Sequence, residues 1–390
     1  MRSLLQLYSK IDKSWFLYIG ILNLFSSFYL LSLLSFILWF IKENIMFDNV
    51  SPLDESKYQD IQGKYGILQR RNIDTIVLNK GITNYEKGYA QGELLADKMF
   101  VFFGKIKLVL RFLGCHKYKL PENFPDKYKD EIQGLVDGYN SWAIKNNKER
   151  INFDFVYTYH CLPDGSTWMG TNSLFRKIFA VGCSVIVRDN IVGRTLDFCP
   201  FGRGGSDTFI LKDGNTTRLL VPGILGCITG WNGKTFVALN ISYSHVKYMQ
   251  GWPMVFACRE ILENPTETDF TFKNASSFHV SIFDGNKGRR ISFGQGNNDG
   301  RLESTGNIVT LNFNYGLFEG DKNTADSLSR KKIIDNFNLN MESLLKHPLI
   351  NVHDTINSVL YDYNTGKVVL RRNNSFASDE KDFVEFTVNL

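Results

Sequence analysis

One cysteine in the sequence stands where it could act as a nucleophile. Cys183 follows Gly182 and opens a run of alternating apolar residues, and the next such run carries Arg194 and Asp197. A papain-like cysteine nucleophile opens a helix and needs a separate histidine base. Because Cys183 opens a predicted strand instead, the pattern favours a different catalytic device.

That device is a free α-amine on the cysteine itself. If the Gly182–Cys183 peptide bond breaks, the new amine has an unperturbed pKa of ~8 and can act as a base near neutral pH. Cys183 would then supply both the nucleophile and the base. Asp197 is expected to hold the ammonium or the thiol, and Arg194 to fix Asp197 or the substrate carbonyl. The alternative interpretation is an inert buried cysteine.

Hydrophobic periodicity predicts the elements that must position these residues. Helical periodicity marks the segments 85–113, 122–149, 153–159 and 326–345. Strand-like runs occur at 64–80, 183–187, 191–196, 208–211, 218–221, 236–242, 279–284, 290–294, 307–312, 359–362, 367–371 and 383–388. Asp189 and Asn190 lie between two of these runs, as in a tight hairpin turn. Helices followed by a long antiparallel region with one late helix predict the α+β class.

The composition excludes several classes of protein. The chain has 390 residues, of which 43 % are hydrophobic and 22 % charged, which is typical of a chain that folds. At about 150 residues per domain, two or three domains are expected. The net charge of +5 includes no run of five like charges, so we expect no nucleic-acid partner.

No cofactor and no metal ion are expected. Gly233-Lys234-Thr235 resembles the end of a phosphate-binding loop, but Ile228 stands where that loop needs a glycine. The six histidines are scattered and no two cysteines have CxxC spacing, which disfavours a metal site or a redox dithiol. The sequence also lacks the Gly-x-Ser-x-Gly elbow of serine α/β-hydrolases.

The N-terminal part contains a predicted membrane span. Residues 15–41 carry no charge over 27 positions, a length that reaches ~40 Å as a helix and crosses a bilayer of ~30 Å. The basic residues Arg2, Lys10 and Lys13 precede it, so residues 1–14 are expected to form a cytoplasmic tail. The hypothesis is a retained signal anchor; a cleaved signal peptide and a buried core helix are the alternatives.

The rest of the chain would then lie outside the cytoplasm, in a lumenal, extracellular or periplasmic space. Residues 42–64 are predicted to be a polar linker. Asn-x-Ser/Thr acceptors, which matter only in a cell that glycosylates, occur at Asn49, Asn215, Asn240, Asn274 and Asn373. Six cysteines follow the span, and an oxidising compartment would permit disulfides between them, in pairs that the sequence leaves open.

Six stretches in a fixed order resemble a known family. They are Tyr85–Gly92, Gly182-Cys183-Ser184, Gly193-Arg194-Thr195-Leu196-Asp197-Phe198, Gly230-Trp231-Asn232-Gly233, Asn307–Phe313 and Ser327-Leu328-Ser329-Arg330. Together they are similar to the cysteine N-terminal nucleophile hydrolases, and within these to the 6-aminopenicillanic acid acyltransferase-like family. Acid ceramidase, N-acylethanolamine acid amidase and the choloylglycine hydrolases are relatives of that family. The resemblance covers roughly residues 65–390.

The resemblance implies a precursor that cleaves itself between Gly182 and Cys183. Residues 65–182 would form a helical pro-region or α chain, and residues 183–390 the β chain of a four-layer αββα sandwich. In the mature site Cys183 would attack a substrate amide carbonyl, and Asp197 would orient its amine. The family's remaining functional positions fall on Asn312 (side-chain N–H) and Asn232 (backbone N–H) as oxyanion donors, with Arg194 and Arg330 as supporting polar residues.

The sequence departs from the family pattern at three points. Ser184 and Val185 stand where the family has Thr-Ser, Leu311 stands where a threonine usually precedes Asn312, and the interval of eleven residues from Cys183 to Arg194 is shorter than in the ceramidase-like relatives. These departures bear on processing efficiency and substrate class more than on the fold.

The functional hypothesis is a membrane-anchored, self-processing cysteine amidohydrolase or acyltransferase. Its substrate would be a small linear non-peptide N-acyl amide, for which a lipid amide is one candidate, cleaved through a thioester on Cys183. The alternatives are an acyl-ester hydrolase of the phospholipase B-like kind and a non-catalytic, membrane-tethered binding protein on the same scaffold. The acyl chain, the acceptor and the oligomeric state are left open.

Overall fold

The structure is a computed structural model that describes most of the chain after residue 57. The described residues are 58–112, 114–169, 181–198, 208–243, 251–266, 274–294, 301–312, 325–337, 340–350, 355–372 and 383–388. The predicted tail 1–14, the predicted span 15–41 and most of the predicted linker 42–64 lie outside these ranges. Within them, no helix has the length and apolar character that crossing a bilayer requires.

Eight α-helices and sixteen strands are found in the described residues. The helices are α1 (Asn84–Leu94), α2 (Ala96–Phe112), α3 (Asp126–Lys145), α4 (Phe153–His160), α5 (Leu162–Met169), α6 (Met254–Glu263), α7 (Ala325–Asn336) and α8 (Met341–Leu345). The first nine strands are β1 (Ile61–Gln62), β2 (Gly66–Gln69), β3 (Thr75–Leu78), β4 (Val181–Arg188), β5 (Ile191–Phe198), β6 (Phe209–Asp213), β7 (Thr216–Leu220), β8 (Thr229–Asn232) and β9 (Thr235–Ile241). The others are β10 (Phe278–Phe283), β11 (Gly288–Phe293), β12 (Arg301–Gly306), β13 (Ile308–Thr310), β14 (Thr355–Asp362), β15 (Lys367–Arg372) and β16 (Phe383–Thr387).

The strands form two sheets. The first sheet has ten described strands in the order β1-β2-β3-β6-β7-β8-β9-β10-β11-β12, and the second has six in the order β13-β4-β5-β14-β15-β16. Neighbouring strands are antiparallel except β3 and β6, which pair in parallel from Thr75 opposite Ile210. Strands from before Gly182 therefore share a sheet with strands from after it.

Three apolar cores lie between successive layers. One core joins helices α1 to α6 to the first sheet. A second lies between the sheets, where Val185 and Val359 pack in the same cluster as Trp231 and Phe236. A third joins Ile186 and its neighbours in the second sheet to α7 and α8. The described residues thus form helices packed on two sheets, and the α+β prediction is confirmed.

Several predicted elements differ from those observed. The helix predicted over 85–113 is two helices that meet at Leu95, and the helix predicted over 326–345 is α7 followed by α8. The second break has a local cause, because the side chain of Asn340 accepts a hydrogen bond from the Ser343 N–H and so caps a new helix. Helices α5 and α6 and strands β1, β8 and β12 were not predicted, and β1 lies in the segment predicted as linker.

The predicted hairpin turn between β4 and β5 is confirmed. Asp189 and Asn190 have φ angles of 49° and 66°. Two successive residues in the left-handed region give a type I′ turn, whose twist matches that of the flanking strands. Asn and Asp tolerate this region better than other non-glycine residues.

Helices α1 and α3 cross at unusually short range. Gly88 and Gly92 on α1 face Gly134 and Gly138 on α3. A Cβ atom placed on Gly134 would lie 1.9 Å from the carbonyl oxygen of Tyr85, and one on Gly88 would lie 1.9 Å from that of Glu131. Only glycine lets the two backbones approach this closely.

Gly134→Ala is therefore expected to destabilise the protein, by about 1–3 kcal/mol or more, since the backbones must separate to admit a methyl group. Gly104→Ala is the matched control at an exposed position of α2, where an added Cβ meets nothing within 4 Å. That change should be neutral or stabilise the helix by about 0.5–1 kcal/mol. Urea unfolding of the full chain measures both, and equal losses at the two positions would contradict the close crossing.

Candidate active site

The β4–β5 hairpin decides which side chains meet around Cys183. The strands pair so that Gly182 lies opposite Asp197 and Cys183 lies opposite Leu196. Successive side chains of a strand point to opposite sides of the sheet. Cys183, Arg194 and Leu196 therefore lie on the side that faces the first sheet, called the inner side here. Gly182 and Asp197 lie on the outer side, which faces α7 and α8.

Cys183 lies at the wall of a small apolar cavity on the inner side. The residue is 3 % exposed, and the cavity has a volume of about 30 Å³. Its other lining residues are Leu162, Pro163, Leu196, Val221, Ile224, Ile228, Leu239 and Ile241. Burial raises the pKa of the Cys183 thiol, while the charge of Arg194 and a hydrogen bond from it act in the opposite direction.

Arg194 is fully buried and is held by the first sheet. Its Nη2 donates to the carbonyl oxygen of Leu239 at 2.8 Å, its Nε to Oγ1 of Thr229 at 3.3 Å, and its Nη1 to Oδ1 of Asn240 at 3.4 Å. A buried guanidinium needs such partners, because otherwise its desolvation is not offset. These contacts fix the cation beside the thiol.

A buried ion pair lies on the outer side. Oδ2 of Asp197 accepts from Nη1 of Arg330 at 2.6 Å, and Oδ1 accepts from the hydroxyl of Thr355 at 2.7 Å. The same Arg330 nitrogen is 3.2 Å from the hydroxyl of Ser184. A Cβ on Gly182 would lie 2.7 Å from Oδ2 of Asp197, so glycine at this position leaves room for the carboxylate.

The position of Asp197 separates its two predicted roles. Its carboxylate borders the Gly182 backbone on the side of the strand opposite to the thiol of Cys183. This location suits contact with an amine at Cys183 and not contact with the thiol.

Asn312 contacts Cys183 directly. Its Oδ1 accepts a hydrogen bond from the Cys183 backbone N–H at 2.8 Å, and its Nδ2 donates to the carbonyl oxygen of Ile241 at 2.8 Å. The side chain thus joins β4 of the second sheet to β9 of the first. A side-chain amide carries two N–H donors, of which one is used in this contact.

Asn232 does not lie in this group. Its side chain donates to the carbonyl oxygens of Leu262 and Glu263, at 3.1 and 3.3 Å, and so binds the end of α6. Asn232 is three residues beyond Thr229, which contacts Arg194, and this interval is about 10 Å along a strand. The structure therefore brings together Cys183, Gly182, Arg194, Asp197, Asn312 and Arg330, but not Asn232.

Asn240 is the site residue that sequence reasoning missed. It is fully buried on β9, and while its Oδ1 accepts from Arg194, its Nδ2 donates to the carbonyl oxygen of Thr310 at 3.2 Å. The sequence analysis counted it only as a glycan acceptor, a role that its burial and that of Asn274 oppose, whereas Asn215 is exposed. The available signal was an asparagine inside the apolar strand 236–241, since asparagine is depleted in strands.

No family model matches the chain, and no curated protein matches it either. Across the described ranges, no three His, Cys, Asp or Glu side chains are grouped so that they could hold a metal ion.

The buried pair on the outer side predicts a large effect of Arg330→Met. This change leaves Asp197 buried without its cation, which is expected to cost about 3–5 kcal/mol. Lys331→Met is the matched control one residue along α7, because Lys331 pairs with Asp335 where both side chains are 47 % exposed. An exposed pair contributes less than about 1 kcal/mol. Denaturant unfolding compares the two, and a small loss for Arg330→Met would refute a buried charge pair at Asp197.

Proposed function

We propose that this chain is a self-processing cysteine N-terminal nucleophile hydrolase that acts on non-peptide N-acyl amides. The observation that carries the proposal is the placement of the Gly182–Cys183 peptide. The thiol and Arg194 lie on one side of the strand, the Asp197–Arg330 pair lies on the other, and Asn312 binds the Cys183 N–H. The nucleophilic thiol, the two buried arginines and the side chain that binds the Cys183 N–H thus lie around one peptide bond.

The order of layers supports the same proposal. The described residues form helices, sheet, sheet and helices, which is the arrangement that an αββα sandwich requires. Cys183 lies in a strand of the second sheet and packs in the same apolar cluster as α5 and β9 of the first sheet. On this proposal, residues 65–182 are the α chain and residues 183–390 the β chain.

Self-cleavage proceeds in two steps. In the first, the Cys183 sulfur attacks the carbonyl carbon of Gly182, the C–N bond breaks, and the thiol proton goes to the departing amine of Cys183. In the second, water hydrolyses the resulting thioester, which gives the Gly182 carboxylate and restores the thiol. Both steps pass through an oxyanion, and donors aimed at that oxygen lower the barrier.

The mature site repeats this chemistry on a substrate. The free amine of Cys183 takes the thiol proton, the sulfur attacks the amide carbonyl, and the leaving amine takes the proton as a thioester forms. The second N–H of Asn312 is the proposed oxyanion donor, and Asp197 holds the amine of Cys183. Water, or an acceptor in a transferase, then releases the acyl group.

The cavity beside Cys183 supports an apolar acyl group. All of its other lining residues in the described part of the chain are apolar, and Leu196 and Ile241 belong to the strands that carry Asp197 and Asn240. Apolar walls favour a hydrocarbon group next to the reacting carbonyl. An N-acyl amide with an apolar acyl group is therefore the proposed substrate class.

The two chains are expected to remain together after cleavage. Strand β3 pairs with β6, and Glu131 of α3 forms a buried ion pair with Arg259 of α6. Both contacts join residues 65–182 to residues 183–390. Cleavage would thus change the chain ends at Cys183 without dissociating the fold.

The intact mass of the full chain under reducing, denaturing conditions tests the proposal. The wild type is expected to give two fragments that separate before Cys183, whereas Cys183→Ala should give one uncut chain. Cys115→Ala, at another buried cysteine, is the control and should be cleaved like the wild type. A wild-type chain that stays uncut at acidic and neutral pH would refute self-processing and favour the binding-protein alternative.

The rate of self-cleavage tests the side chain of Asn312, and the side chain of Asn232, which was predicted to act through its backbone N–H, is the control. Asn312→Ala is expected to slow the reaction by about 10²–10³-fold, because it removes both the amine ligand and the proposed oxyanion donor. Asn232→Ala should leave the rate within about threefold, since that side chain binds the end of α6 and makes no transition-state contact. The appearance of the 183–390 fragment with time measures both rates, and equal slowing would contradict the assignment of Asn312.

A further inference from the structure

One wall of the cavity at Cys183 is a loop whose position depends on other parts of the chain. Residues 221–228 connect β7 to β8 and are called the wall loop here. Three of its side chains, Val221, Ile224 and Ile228, line the cavity. The backbone position of the wall loop therefore decides how much room an acyl group finds beside the nucleophile.

Side chains of neighbouring elements form hydrogen bonds with the buried backbone of the wall loop. The carbonyl oxygen of Leu225 accepts from Nη1 of Arg259 at 2.8 Å and from Nη1 of Arg218, which also donates to the Gly226 carbonyl at 3.1 Å. The hydroxyl of Tyr159 donates to the carbonyl of Pro222 at 3.0 Å. Buried loop backbone must be paired, and in this loop side chains supply much of that pairing.

Gln91 is one of these side chains and lies upstream of the Gly182–Cys183 bond. It is on α1, inside the stretch Tyr85–Gly92, and is 1 % exposed. Its Nε2 donates to the carbonyl oxygen of Ile224 at 3.2 Å, whereas its Oε1 has no partner among the described residues. A buried amide oxygen without a donor lowers the stability of the fold. An apolar side chain at position 91 would fill the same space without this cost. Its contact with Ile224 is the feature that an apolar residue would lack.

His160 is the second upstream side chain. Its Nε2 accepts from the Leu225 N–H at 2.9 Å, and its Nδ1 donates to the carbonyl oxygen of Val156 at 2.7 Å. This pattern requires the neutral ring with the proton on Nδ1. Burial lowers the pKa of His160 to about 4, and the nearby charge of Arg259 acts in the same direction. The imidazole thus stays an acceptor for the wall loop at neutral pH.

We propose that Gln91 and His160 are positioning residues that set the acyl-group selectivity of the mature site by holding the wall loop in place. This inference rests on the proposed function and extends it to residues on the other side of the cleavage point. Neither side chain touches the reacting atoms. Each binds the backbone at or next to Ile224, the residue that contributes to the cavity wall.

The test compares acyl-chain profiles of full-length variants. The probes are 4-nitroanilides of acetic, butyric, octanoic and palmitic acid, and the readout is kcat and KM for each. Gln91→Met keeps the side-chain volume and removes the donor; His160→Phe keeps the ring and removes the acceptor; His160→Gln keeps an acceptor. Gln133→Met is the control for a glutamine on α3 whose Nε2 donates to Asp137 on the same helix.

In Gln91→Met and His160→Phe the ratio of kcat/KM between the shortest and longest amides is expected to change by about tenfold or more, as for a pocket altered by a few methylenes. The change should fall mainly on KM, with self-cleavage within about threefold of wild type. His160→Gln should give an acyl-chain profile closer to that of the wild type than His160→Phe does. Gln133→Met should give the wild-type profile.

Hydrogen exchange at the Leu225 amide gives a readout that needs no substrate. His160→Phe should accelerate this exchange, and Gln91→Met carries the test if the histidine variant does not fold. An unchanged acyl profile in active Gln91→Met and His160→Phe would overturn this inference alone. A wild-type chain that hydrolyses none of the amides would overturn the proposed function and, with it, the inference.

Discussion

The register of the β4–β5 hairpin is the constraint on which the site depends. The turn at Asp189 and Asn190 closes the hairpin with two residues, which sets Gly182 opposite Asp197 and Cys183 opposite Leu196. A slip of one residue would move every side chain of β4 to the other face. The thiol would then point to the outer side, which faces α7 and α8, and away from the apolar cavity. The inner core and the outer core both select against this slip, because Val185 and Ile186 occupy different apolar clusters.

The buried charges on the two faces of that hairpin have different kinds of partner. On the inner face no carboxylate of the described residues pairs with Arg194; two neutral oxygens of β9 and a hydroxyl of β8 hold it. On the outer face Asp197 is compensated by Arg330, which comes from α7. A buried cation on neutral ligands keeps its field for the thiol and, in the proposed reaction, for the developing oxyanion. A compensated carboxylate is held in place without raising the local charge.

The segment before Gly182 is built into the same structure as the segment after it. It supplies three strands of the first sheet and, through α1 and α4, the side chains that bind the wall loop. The glycines of α1 and α3 let these helices cross closely enough to share one core with α6. If the proposed function holds, substrate selection at Cys183 is coupled through these contacts to residues far upstream in the chain.

The sequence by itself determined the local features of this protein. Alternating apolar residues and the Asp189–Asn190 turn predicted the hairpin, and the order of helices and strands predicted the α+β class, because periodicity and turn chemistry act between near neighbours. The grouping of Cys183, Arg194 and Asp197 was predicted for the same reason, since all three lie in one hairpin. That Asn240, and not the predicted Asn232, lies beside Arg194 was decided only by the tertiary structure. Both residues lie on one β-hairpin, β8–β9, and which end of it meets Cys183 depends on how the two sheets pack. The position of the wall loop likewise could not be predicted from the sequence, because three of its partners come from the distant helices α1, α4 and α6, whose contacts form only when the layers assemble.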